Sequence, residues 1–169
     1  ATHLWMRTPD DGLAAVASNA YGLAKSALNV IAAGCALRRA LALSAMGAQA
    51  MGLRREVWDA AAATGHSAER AVAGWLTAAT AGARDWPVPA RVHDPLSARM
   101  IPQVFGAAAC ALEEAAAAVE AETAHPDDNP LVMGGKVVAS GGSLLLLLSL
   151  RLSAVQLALA HIGRNSLNR

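Results

Sequence analysis

The chain has 169 residues and a net charge of +1. That length holds one domain with a sizeable core. The charge, with no basic run and no stripe of Arg and Lys interleaved with aromatics, excludes nucleic-acid binding as the organising function. Apolar residues make up 54% of the chain, with one Phe, one Tyr and four Trp. Alanine and leucine therefore carry the apolar content, as in tightly packed helices.

Residues 1–11 are polar, hold Trp5 and Pro9, and read as a loop. Residues 12–52 form one long helical pattern, with Leu13, Val16, Ala20, Leu23, Ala27, Ile31, Cys35, Leu41 and Leu43 near helical spacing. Lys25, Arg38 and Arg39 are its few charges. A helix apolar on most sides is buried on most sides. A chain this short cannot wrap several such helices, which points to oligomerisation or to further segments; a two-layer bundle is the simpler alternative. Residues 54–64 read as a short helix stopped by Gly65. His66 is a turn histidine, and Ser67 is the expected N-cap of a helix over 68–81. Residues 83–91, with Trp86, Pro87 and Pro89, read as an extended linker.

Residues 92–106 read V-H-D-P-L-S-A-R-M-I-P-Q-V-F-G. Asp94 precedes a proline and is pushed out of helical geometry. Pro102 fits a first helical turn, where its missing N–H costs nothing. Ile101, Val104, Phe105, Ala108, Leu112, Ala115 and Val119 then follow at helical spacing, so a second long helix is expected over 99–125. Arg99 falls at or just before its N-terminus, a placement the helix dipole disfavours. Two readings remain open. Arg99 beside free N–H groups makes a carboxylate or phosphate site, or it pairs with a nearby acid such as Asp94, which spacing alone favours. Glu113, Glu114 and Glu120 are expected to face solvent or basic neighbours.

Residues 126–130 (P-D-D-N-P) read as a rigid loop. A short β-hairpin is expected within 132–140, turning at Gly134-Gly135 with a strand at Lys136-Val137-Val138. Residues 143–169 form the third long helix. Arg151 and Gln156 interrupt its apolar run below the roughly 18 residues of a membrane span, so a core helix and no membrane partner are expected. Nothing at the N-terminus reads as a signal peptide. Cys35 and Cys110 lie on alanine-rich helical runs. They are expected to be small buried thiols without a disulfide or metal-ligand spacing, which suits a reducing cytoplasm.

The 92–106 segment resembles V-Q-D-P-Y-S-x-R-x-x-P-Q-V-x-G of histidine ammonia-lyases and the wider aromatic amino acid lyase family. Asp128-Asn129-Pro130-Leu131 followed by V-A-S-G-G over 138–142 resembles that family's D-N-P-L…S-G-G-N-F-H. Asp11-Gly12-Leu13-Ala14 is similar to E-G-L-A, and Ile162-Gly163-Arg164-Asn165-Ser166 to I-G-x-x-S. The four matches run in family order along nearly the whole chain. They imply an all-α fold of long, roughly antiparallel helices forming the central bundle of an ammonia-lyase. Residues 1–169 would be a single helical segment of a larger lyase domain. The chain begins at Ala1 and ends within an apparent helix at Arg169, so an internal piece of a longer or split enzyme is expected.

The family eliminates ammonia from an amino acid to give an α,β-unsaturated acid. The β-proton is weakly acidic, so the reaction needs an electron sink and a positioned base. The resemblance implies methylideneimidazolone (MIO) as that sink, formed from an upstream Ala-Ser-Gly and not from Ala139-Ser140-Gly141, which reads as a glycine hinge. It also implies a homotetramer or a complementing lyase subunit as partner, and an amino acid as substrate.

Residue by residue, Arg99 matches the family's carboxylate-binding arginine. Leu96 stands at a catalytic tyrosine and His93 at a glutamine. Ser143 and Leu144 replace Asn-Phe, and Leu145 replaces histidine. Ala17 holds the place of an asparagine, with Asn19 two residues on. Arg99, Ser143, Leu144 and Asn19 are thus candidate substrate-binding residues. No catalytic residue is assigned, although His93 is a candidate replacement base. Because these departures fall at the active centre, a catalytically inactive lyase-fold subunit is the alternative function, ahead of an unrelated helical interaction domain.

Overall fold

A computed structural model describes residues 18–83, 86–87, 91–125 and 129–168. The described residues form six helices and one two-stranded antiparallel sheet: α1 (Ala20–Ala50), α2 (Glu56–Thr64), α3 (Ser67–Ala79), α4 (Leu96–Arg99), α5 (Ile101–Thr123), β1 (Leu131–Met133), β2 (Lys136–Val138) and α6 (Leu146–Leu167). The fold is all-α with a short hairpin, as the sequence implies. The expected loop at 1–11, the start of the first helix at 12–17, the Asp11-Gly12-Leu13-Ala14 match and Ala17 lie outside the described residues. So do Asp128 and most of the expected 126–130 loop.

α5 is the central helix. It packs along α6 and α1, and α3 crosses it on a third side. Ser97 Oγ donates to the Asn168 carbonyl at 2.6 Å, and Arg151 Nη1 lies 2.6 Å from Glu114 Oε2. Both contacts fit one antiparallel register of α5 on α6. The expectation that Glu114 faces a basic neighbour is met by Arg151.

The core explains why these runs are helical. Ile101, Phe105 and Ala108 of α5 recur at spacings of four and three, and all are buried. They meet Ala45 and Ala48 from the end of α1, Trp58 and Ala61 from α2, Val72, Ala73 and Leu76 from α3, and Ile162 from α6. Pro102 lies in the first turn of α5, as expected. Gly106 permits the α3–α5 crossing: a Cβ there would meet the Glu69 backbone nitrogen at 2.8 Å and its Cα at 2.9 Å. The last residue of the V-F-G motif is therefore a close-approach glycine.

Several local expectations are corrected. His66, not Ser67, caps α3, and Ser67 is its first residue. α6 opens at Leu146 rather than at 143, because Gly141, Gly142 and Ser143 form a bend and turn ahead of it. Cys110 is exposed and Cys35 half-buried, so the two free thiols are not both core groups. α6 is buried on one stripe only, Leu148, Val155 and Ile162, a seven-residue spacing that keeps a single seam against its neighbour. α1 and α6 have the length and mean hydropathy of a membrane span, 1.4 and 1.5, yet only 22% and 17% of those windows are buried within the chain. The expectation of a fully packed core helix is not met by these residues alone.

Candidate active site

The end of α1, the residues leading into α2, the bend at 91–95 and the one-turn helix α4 converge on Asp94. Its side chain is 1% exposed. Asp94 Oδ2 accepts the Arg54 backbone N–H at 2.7 Å, and Oδ1 accepts Arg91 Nε–H at 2.7 Å. Arg91 Nη2 also donates to the Met51 carbonyl at 2.9 Å, and Arg54 Nη2 donates to the Arg91 carbonyl at 2.8 Å. A buried carboxylate needs a paired charge and hydrogen bonds at both oxygens, and Asp94 has them. Gly52 turns with a φ of +60, where a side chain would also strike the Pro87 carbonyl at 2.6 Å. Trp86 donates Nε1–H to the Leu53 carbonyl at 2.9 Å and meets Trp58 edge-on at 6.1 Å between centroids. The 83–91 stretch, where described, is thus pinned against the end of α1.

Arg99 ends the one-turn helix α4, and Met100 joins it to α5. Its Nε–H donates to the Asp94 carbonyl at 3.1 Å. The sequence reading that Arg99 pairs with the Asp94 carboxylate is therefore replaced. The carboxylate goes to Arg91, three residues before it, and Arg99 takes the backbone oxygen. Arg99 N–H and Met100 N–H bond to the carbonyls of Pro95 and Leu96 at 3.1 and 2.9 Å. The four η N–H groups of Arg99 have no hydrogen-bond partner among the described residues. The side chain is exposed on the wall of a 520 Å³ cleft shared with Arg54, Glu56, Thr64 and Gln103.

Leu96 opens α4, 59% exposed, and lines a second cleft of 460 Å³ with His161, Arg164 and Asn168. His93 is exposed in the bend and lines neither cleft.

Asn19, Ser143 and Leu144 sit at the opposite end of the bundle. Asn19 Nδ2–H donates to the Ser143 carbonyl, joining the start of α1 to the approach of α6. Leu144 is 72% exposed, and Leu145 caps α6. Twenty-odd helical residues at 1.5 Å each separate this group from Arg99, about 30 Å. Two sequence-predicted candidates, Asn19 and Ser143, come together, and Arg99 stands apart from them.

The Ala139-Ser140-Gly141 tripeptide follows β2. Ala139 and Gly141 are exposed, and the Ser140 N–H is held by Asn129 Oδ1 at 2.9 Å. An electrophilic prosthetic group requires a water-excluding pocket, and this open stretch beside a hairpin does not fit one. The Asn129–Ser140 bond instead ties the D-N-P-L segment to the S-G-G segment. A group of three or more potential metal ligands is absent among the described residues.

The chain matches the aromatic amino acid lyase model over residues 5–169. It belongs to the aromatic amino acid lyase family. It is 30% identical over 162 residues to the histidine ammonia-lyase of Symbiobacterium thermophilum, covering 92% of this chain and 32% of that protein. It is 32% identical over 169 residues to the histidine ammonia-lyase of Paracidovorax citrulli, covering 95% of this chain and 33% of that protein. The chain thus spans about a third of the length of these curated relatives. No solved structure matches it significantly. Family membership excludes the reading as an unrelated helical interaction domain. Sequence reasoning missed Arg91, whose one signal was its i,i+3 spacing to Asp94.

Proposed function

We propose that residues 1–169 are the central helical segment of an ammonia-lyase domain that eliminates ammonia from histidine or an aromatic amino acid to give an α,β-unsaturated acid. The observation that carries this reading is Arg99. Within a family match spanning nearly the whole chain, it stands on a cleft wall with its η nitrogens free to grip a carboxylate. Both relatives named above are histidine ammonia-lyases, which favours histidine as substrate.

The methylideneimidazolone is supplied by an Ala-Ser-Gly outside these 169 residues, since Ala139-Ser140-Gly141 is unsuited to it. Asn19 and Ser143 lie about 30 Å from Arg99, farther than one amino acid reaches. The reading therefore requires a homotetramer or a complementing lyase subunit, so that the Arg99 end of one copy completes the Asn19–Ser143 end of another. Such an enzyme works in the cytoplasm.

A second reading, a lyase-fold subunit without catalysis, is favoured by Leu96, which carries no proton to move at the position of the family's tyrosine. Near-ultraviolet absorbance separates the two. Full-length protein mixed with histidine, phenylalanine or tyrosine should build a conjugated-acid band with one of them under the catalytic reading. A flat trace with all three, in protein whose cofactor absorbance is intact, supports the second.

A further inference from the structure

The guanidinium of Arg99 is held at one nitrogen only. Nε–H is committed to the Asp94 carbonyl at 3.1 Å, and the η N–H groups are uncommitted among the described residues. A guanidinium can take a carboxylate side-on, through Nε and one η nitrogen, or end-on, through both η nitrogens. With Nε occupied, only the end-on face remains.

The carbonyl that occupies Nε belongs to a residue whose own side chain is locked. Asp94 is 3% exposed, and its two carboxylate oxygens each accept a 2.7 Å bond, from Arg54 N–H and from Arg91 Nε–H. Arg91 reaches on to the Met51 and Gly52 carbonyls at 2.9 and 3.3 Å. The last turn of α1 is therefore wired through Arg91 and Asp94 to the direction in which Arg99 points.

We infer that Asp94 is a positioning residue: its buried carboxylate fixes the Asp94–Pro95 bend so that the Asp94 carbonyl pins Arg99 Nε and presents the two η nitrogens end-on to the substrate carboxylate. This rests on the reading of Arg99 as the group that holds that carboxylate. Asp94 touches no substrate. It acts through the carbonyl it orients, with Arg91 as its counter-charge.

The test uses full-length protein and two readouts: the KM-against-kcat split with the amino acid turned over, and direct binding of 3-phenylpropionate, a carboxylate with no amino group to lose. Asp94→Asn keeps the shape but sets an NH2 against one of the two donors that Asp94 accepts. It should raise KM and weaken 3-phenylpropionate binding by about tenfold, with most of the loss in KM rather than kcat. In an Arg99→Ala background the same substitution should cost nothing further, because its effect runs through Arg99. Arg91→Gln, which removes the partner from a more exposed position, should shift KM in the same direction and serves if Asp94→Asn does not fold. A purely structural role predicts less active protein with unchanged KM, or an equal loss in the Arg99→Ala background, and either result overturns the inference while leaving the Arg99 reading intact. Wild-type protein that neither turns over an amino acid nor binds 3-phenylpropionate overturns the Arg99 reading itself, and the inference with it.

Discussion

At the scale of single residues, the contrast between Arg99 and Asp94 is instructive. Both stand in one motif, and their spacing suggests a pair. The chain instead spends the carboxylate on Arg91 and the Arg54 N–H, because a buried acid needs donors at both oxygens. Arg99 is left with a carbonyl and an open face. Lysine has one compact charge and no fork, so Arg99→Lys should raise KM for the amino acid by at least about tenfold, and Arg99→Ala by about a hundredfold. Steady-state kinetics on the full-length protein checks both, and equal KM values for Lys, Ala and wild type would remove Arg99 from the site. The Arg151–Glu114 pair is of a different kind. Both side chains are more than 40% exposed, so its loss should cost under about 1 kcal/mol.

At the scale of elements, α5 determines the arrangement. Its first turns carry the largest buried side chains of the helix, Ile101 and Phe105, and its Gly106 meets the α3 backbone. A methyl group at 106 has nowhere to go, because the atoms it meets are main-chain atoms of Glu69 rather than a movable side-chain tip. Gly106→Ala should destabilise the fold by about 1–3 kcal/mol, despite alanine's better helix propensity. Denaturant melts read by circular dichroism give the sign: a more stable variant would mean that α3 and α5 do not cross at this glycine. The helix runs were legible in the sequence because alanine and leucine recur at helical spacing. Their ends were less so: α6 begins at Leu146, after a glycine bend that apolar periodicity cannot register. The exposure of Cys110 did have a signal: Glu113 and Glu114 lie three and four residues on, on the same helix face, and the thiol sits 3.9 Å from Glu114 Oε1.

At the scale of the whole molecule, the apolar faces on α1 and α6 are the dominant fact. Leu28, Ile31, Leu43 and Met46 on α1, and Leu146, Leu150 and Leu157 on α6, are all more than half exposed. Apolar side chains exposed in this number mark a contact surface. Under the oligomeric reading proposed above, Ile31→Glu should shift the full-length protein toward smaller species in sedimentation while leaving its helical content unchanged, and an unaltered sedimentation profile would show that this face of α1 takes no part in any contact between copies. The same exposed side chains raise the mean hydropathy of the two helices that match a membrane span in length.

By itself the sequence determined the family, the helical class, the hairpin and the candidacy of Arg99, because these depend on local periodicity, turn chemistry and motif order. Only the tertiary structure decided that Asp94 belongs to Arg91, that Gly106 is a crossing point, and that Asn19 and Ser143 meet at one end of the bundle with Arg99 at the other. The Gly106–Glu69 and Asn19–Ser143 contacts join segments tens of residues apart, and Asp94 is buried against Arg54, forty residues before it. They are set by how three long helices align, and spacing along a chain carries no record of which ends will face each other.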